Sequence, residues 1–196
     1  MTTALSSFIK SPQKIFFESQ ERNEQIIFFL RKDFVVNVPW IFFGVLLFLF
    51  PILFNLVSQS SFFFVLPEKY RLIGSLAWYL ISLAFILENY LLWYFNVYLI
   101  TDRRIVDIDF FGLFNKRISE APLENIEDVT YSMNGIVQTI FNYGNVYIQT
   151  AAEMREFEFQ NVSNPALIHD KLTDLVGRKR AISGHPRKNR REAPFK

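Results

Sequence analysis

The chain has 196 residues, 51% of them hydrophobic and 17% aromatic, with 23 Phe, no cysteine and a formal net charge of +2. The missing cysteine excludes disulfides, thiolate metal sites and cysteine nucleophiles, and two histidines, His169 and His185, leave little for metal or general-base chemistry. The charge is unevenly placed: residues 178–196 hold eight Lys/Arg and one acid, whereas residues 96–176 hold six bases and twelve acids, which argues against nucleic acid or other polyanions as partners of the middle region.

Residues 1–33 are polar and mixed in charge, with apolar clusters at Ile15-Phe16-Phe17 and Ile26–Leu30. No continuous apolar run followed by small residues marks a cleavable signal. The second cluster reads either as an interfacial segment on lipid headgroups or as an edge strand docked on the later domain. Five apolar residues are short for an amphipathic helix, which favours the strand.

Two membrane candidates follow, at about 34–57 and 72–95, joined by a short connection. The first has an uninterrupted apolar core from Trp40 to Phe54, broken only by Gly44 and Pro51, and reaches a full ~30 Å span once its flanks are added. Pro39 lies near its start, where a missing N–H costs little, and Pro51 predicts a kink. The second has Trp78 and Tyr79 toward one end and Tyr90, Trp93 and Tyr94 toward the other, as interfacial belts would. Lys10, Lys14, Arg22, Arg31 and Lys32 precede the pair and Arg103 and Arg104 follow it, while the connection holds only Lys69 and Arg71. That bias places both termini on the cytoplasmic side of a multi-pass inner-membrane protein.

Glu88 lies inside the second candidate span and is costly there unless it is paired or protonated. Glu88, Asn89 and Asn37 form a candidate intramembrane polar site. It serves either as an ion or subunit contact or as a structural hydrogen bond to Asn37, with Arg31 and Lys32 within possible reach.

From Asn96 the pattern changes to short strands with no Gly-, Pro- or Ser-rich linker in between. Strands are predicted at 97–101, 104–110, 113–119, 126–132, 145–150 and 155–160, with a helical turn over 136–141. Asn164 and Pro165 open a helix that runs to about Val176 before Gly177. Asp107/Asp109 and Glu156/Glu158 alternate as on the solvent face of a strand. The remainder, 177–196, is basic and short of large apolar residues, and it reads as a disordered tail. Its Arg178, Lys179, Arg180, Arg187, Lys188, Arg190 and Arg191 are candidate contacts to anionic lipid. No phosphate loop, nucleophile elbow or metal-ligand spacing occurs, so no enzyme, cofactor or metal is expected.

Three segments resemble the bacterial PH-like domain found in small membrane proteins: Tyr98–Ile105 (YLITDRRI), Ala121–Val129 (APLENIEDV) and Phe141–Ala151 (FNYGNVYIQTA). The resemblance implies a membrane α-helical hairpin followed by a mainly β domain, a PH-like barrel or sandwich closed by a C-terminal amphipathic helix. The implied divisions are a cytoplasmic segment 1–33, a hairpin 34–95, the domain 96–176 and the tail 177–196. It implies no catalytic residues, and Asp102, Asp107 and Asp109 beside Arg103 and Arg104 speak against a phosphoinositide pocket. The expected role is a membrane-anchored scaffold that binds itself or another protein. The alternative is an auxiliary transporter or channel subunit using Glu88.

Overall fold

In the computed structural model of the chain, residues 7–10, 12, 17, 20–60, 67–112, 115–151 and 156–183 are described. The strands are β1 (Phe8–Lys10), β2 (Ile26–Arg31), β3 (Val97–Thr101), β4 (Arg104–Phe111), β5 (Asn115–Pro122), β6 (Ile126–Ser132), β7 (Tyr143–Thr150) and β8 (Glu156–Ser163). The helices are α1 (Val38–Ser60), α2 (Glu68–Phe95), α3 (Ile136–Phe141) and α4 (Pro165–Ser183). A 3-10 turn at Phe34–Asn37 leads into α1, and another at Leu123–Asn125 separates β5 from β6.

All ladders are antiparallel and form two sheets, β1-β2-β3-β4-β5 and β6-β7-β8. The expected closed barrel or sandwich is not what forms. Both sheets stay open, and among the described residues a single bridge, Lys32 to Val162, pairs strand backbone from one with the other. The reason lies in the N-terminal strands. They lengthen the first sheet at its β3 edge, and the 3-10 turn at Leu123–Asn125 breaks the ladder where β5 would have to hand over to β6. One apolar core still fills the space between the sheets, with Leu30, Ile100, Ile105, Ile148 and Phe159 from the strands and Ile168, Leu172 and Val176 from α4.

The Ile26–Leu30 cluster is a strand, but not an edge strand, since β1 flanks it on the far side. Its apolar residues run on without alternation because both faces are covered. Phe28 and Leu30 enter the main core, while Ile26 and Phe29 join Leu99 and Val106 in a second cluster with Ile9 and Phe17 packed against it. β1 and β2 are thus part of the first sheet.

The helical pair is built the other way round. α1 and α2 are long and apolar enough to cross a membrane by length and composition, and most of their Phe, Leu and Ile side chains are exposed. Gly44 and Pro51 on α1 and Ser82 on α2 are buried, and the ring pairs Phe48–Tyr79 and Phe50–Trp78 meet across the two helices. A Cβ on Gly44 would stand 3.0 Å from the Ile86 side chain. α1 continues through Pro51, which has no N–H to offer the Leu47 carbonyl one turn back. Trp78 of α2 supplies the missing donor, its indole N–H reaching that oxygen at 2.8 Å. Asn55, Ser82 and Asn89 each donate to the backbone carbonyl four residues earlier.

α4 does not stop before Gly177. It runs through Gly177 to Ser183, so the first seven residues of the predicted disordered tail are helical. The rest of the tail lies outside the described residues.

Candidate functional site at the helix–sheet junction

α2 ends at Phe95 and β3 begins at Val97, leaving Asn96 as the whole connection. Asn96 is fastened on both sides. Its backbone N–H bonds the Leu92 carbonyl at 3.2 Å, and its side-chain oxygen accepts from the Phe110 N–H at 2.5 Å. The Phe95 and Phe110 rings meet with centroids 5.4 Å apart. β4 reaches past the end of β3, because Val97 pairs with Ile108. Phe110 and Phe111 are therefore carried up beside the end of α2.

The other helix is tied in at the same level. The Trp93 indole donates to the Lys32 carbonyl at 2.9 Å, and the Phe34 ring meets Trp93 edge-on. Asp33 caps the turn into α1 by accepting from the Val35 N–H at 3.0 Å, and its other carboxylate oxygen accepts from the Ser163 hydroxyl. The Asp33 N–H in turn donates to the Asn161 carbonyl at 2.7 Å. Arg31 is buried between aromatic faces, its guanidinium 4.8 Å from the Phe29 ring centroid and 4.3 Å from that of Tyr94. Burial lowers its pKa. The passage into α1 is thus held from the second sheet, and the passage out of α2 from β4 of the first.

The predicted polar site does not assemble. Asn37 is buried and accepts from the Trp40 indole at 3.0 Å, and Asn89 serves its own helix. Glu88 is exposed on α2 and has no hydrogen-bond or ion-pair partner among the described residues. Neither Arg31 nor Lys32 turns to it. A shallow cleft of about 180 Å³ lies instead at the opposite end of the helical pair, lined by Phe50, Pro51, Phe54, Tyr70, Arg71 and Trp78 among others.

At the far end of the sheets the two arginines of the β3–β4 turn are fully used. Arg104 grips Glu24 with Nε at 3.0 Å and Nη2 at 2.9 Å, and reaches Glu120 with Nη1 at 2.6 Å. Arg103 pairs with Glu21 at 2.6 Å. The Thr101 hydroxyl donates to Glu24 at 2.8 Å. Glu24 is only 4% exposed. Burial opposes its charge, but Arg104, the Glu21 N–H and Thr101 prevail and hold its carboxyl below the usual range. The cluster pins Glu21 and Glu24 onto the first sheet and engages both arginines in ion pairs. The sequence offered no pairing signal for it, because the partners lie 80 residues apart.

Asp107 also departs from its predicted solvent face. It shares a face with Ile105 and stands opposite Tyr98, half-buried on the inner side of the first sheet. Burial, then the charge of Asp109, pushes its carboxyl up to about 7 against the pull of Lys32 and Arg117. Glu156 and Glu158 do lie on the outer face, alternating with buried Phe157 and Phe159.

Of the predicted lipid-contact residues, Arg178 is exposed, and Lys179 and Arg180 are half-buried at the end of α4. Arg180 bonds the Ile126 carbonyl, beside the β3–β4 turn and away from the helical pair. Arg187, Lys188, Arg190 and Arg191 lie outside the described residues. No group of three or more His, Asp or Glu suited to a metal occurs among the described residues.

Residues 35–176 match the bacterial PH domain family. The chain belongs to that family. No curated protein and no solved structure matches it. The PH-like fold typically mediates protein interactions, and the family is generally non-catalytic. The matched stretch begins after β1 and β2, so the strands that lengthen the first sheet lie outside it.

Proposed function

We propose that this chain is a non-enzymatic, membrane-anchored binding protein. In this reading α1 and α2 cross the inner membrane as a hairpin within residues 34–95, with both termini cytoplasmic. Residues 96–176, extended by β1 and β2, build the PH-like domain beneath it, and 177–196 form the basic extension. The fastened junction carries the proposal. A domain joined to the helices by Asn96 on one side and by the turn after β2 on the other, with Asp33, Trp93 and Phe110 locking the two passages, is presented at a defined height and tilt. The binding surface favoured is the outer edge of β5, the eight-residue strand that ends the first sheet's order. An extended segment of a partner can add there as a further strand. Contact of the tail with anionic lipid rests on Arg187, Lys188, Arg190 and Arg191, because α4 carries Arg178, Lys179 and Arg180 to the end of the domain away from the hairpin.

Crosslinking in membranes followed by mass spectrometry tests this reading. Crosslinks from Lys116 on β5 to a second copy or to another protein are expected. Recovery of the full chain in the soluble fraction after alkaline extraction would remove the membrane anchor and the proposal with it.

One observation favours a second reading, an auxiliary transporter or channel subunit. Glu88 projects from an apolar helix with no partner among the described residues, and a carboxylate facing lipid calls for one on another chain. A permease that co-purifies with the wild type and is lost with Glu88→Gln supports it; unchanged association with Glu88→Gln removes it.

A further inference from the structure

α3 exposes a run of large apolar side chains outside the helical pair. Gly135 at φ 90° starts the helix and Asn142 at φ 52° ends it, so two left-handed residues fold the β6–β7 connection into one short helical turn. That turn puts Ile136 (77% exposed), Val137, Ile140 (70% exposed) and Phe141 outward. No acidic or basic side chain occurs anywhere from Val129 to Ala152. Four large apolar side chains with no charged residue between them are an unusual surface to leave in water.

The position of α3 supplies the occupant. Gln138 on α3 donates to the Asn161 side chain at 3.4 Å, and the Asn161 carbonyl accepts from the N–H of Asp33, the residue that caps the entry to α1. The exposed face of α3 therefore lies at the level where Phe34 and Val38, both exposed, begin the apolar surface of the hairpin. The geometry points to α3 as a second membrane contact. Ile136, Val137, Ile140 and Phe141 enter the interfacial layer of the bilayer that the hairpin crosses, and the PH-like domain is seated on lipid at that side. This inference rests on the membrane reading above. Interfacial apolar side chains without flanking charge fit a contact driven by burial rather than by headgroup attraction.

The chain has no native cysteine, so single-cysteine probes report cleanly. The full chain is reconstituted in phosphatidylcholine vesicles with an environment-sensitive fluorophore at Ile140→Cys or Ile136→Cys. Leu83→Cys in α2 and Glu156→Cys at the far end of the sheets serve as references. The expected result is a blue shift at 140 and 136, loss of iodide quenching, and quenching by lipids labelled near the headgroup, with none of these at 156. Iodide quenching at 140 and 136 while 83 remains lipid-protected overturns the inference and leaves the membrane anchor standing. Protection from iodide without quenching by labelled lipid means that a second copy covers α3, which also overturns it. Iodide quenching at 83 as well defeats the membrane reading and this inference together.

Discussion

The sheets and the helical pair use the same residue types in opposite ways. In the sheets Phe159 is fully buried against Tyr98, their rings stacked at 4.6 Å, and the strands' charged groups are mostly outside or paired. In the helices Phe42 is 60% exposed, while Gly44, Pro51 and Ser82 are buried. Backbone polar groups decide the difference. The sheets satisfy theirs by ladders and hide side-chain carbon from water. The helices satisfy theirs internally, even supplying Trp78 to the carbonyl left open by Pro51, and leave the carbon outside.

The sharpest way to break this contrast is to delete the same ring in both regions. Phe159→Ala should cost ~3–5 kcal/mol of unfolding free energy by lost burial and cavity formation. Phe42→Ala should leave the stability of the sheet domain unchanged. Denaturant unfolding of the detergent-solubilised chain, followed by amide protection in β7 and β8, measures both. Equal losses would mean that the helices share the core of the sheets.

Removing Arg104 tests whether the N-terminal strands belong to the β structure. Arg104→Ala leaves Glu24 buried without its cation and should cost about 3 kcal/mol or somewhat more. Protection of β2 amides should fall before that of β7. A loss confined to the β3–β4 turn would contradict the pinning role.

Trp78→Phe removes a hydrogen bond between the helices, for an expected loss of about 1–2 kcal/mol in the thermal stability of the hairpin in detergent. In a Pro51→Ala background residue 51 regains its N–H, and the same substitution should cost much less. A double-mutant cycle without coupling would show that the Trp78 contact does not stand in for the missing donor.

The smallest effect expected is a slope with pH. A carboxyl raised in the fold to about 7 holds its proton where the unfolded chain has lost it, so Asp107 favours the folded state most at low pH. That contribution fades as pH rises from about 4 to about 7 and is absent above. Glu24 works in the opposite sense, its contribution being lost as pH falls below the ordinary value of 4.5. The denaturation midpoint should therefore fall between pH 5 and 7 in the wild type, and the fall should shrink in Asp107→Asn. An unchanged slope would place the titrating group elsewhere.

Much of the element list is legible in the residues. The predicted segments 97–101, 126–132 and 136–141 coincide with β3, β6 and α3, because alternation and turn residues report local backbone geometry. The site was less legible. Asn37, Asn89 and Glu88 share a depth along the predicted spans, yet depth does not state which face of a helix meets its neighbour. Asn37 turned to Trp40 and Glu88 turned outward.

What the sequence by itself determined is the division of the chain at Asn96, the apolar helices before it and the strand pattern after it. Those features depend on spacings of two to four residues. Only the tertiary structure decided that Ile26–Arg31 would sit inside a sheet, that the two sheets would stay open, and that Arg103 and Arg104 would be spent on Glu21, Glu24 and Glu120. It also decided that α4 would run on through Gly177, where Arg180 finds the Ile126 carbonyl. Each of these joins residues far apart along the chain, and local periodicity carries no information about which distant group satisfies a strand edge, a buried charge or a helix end.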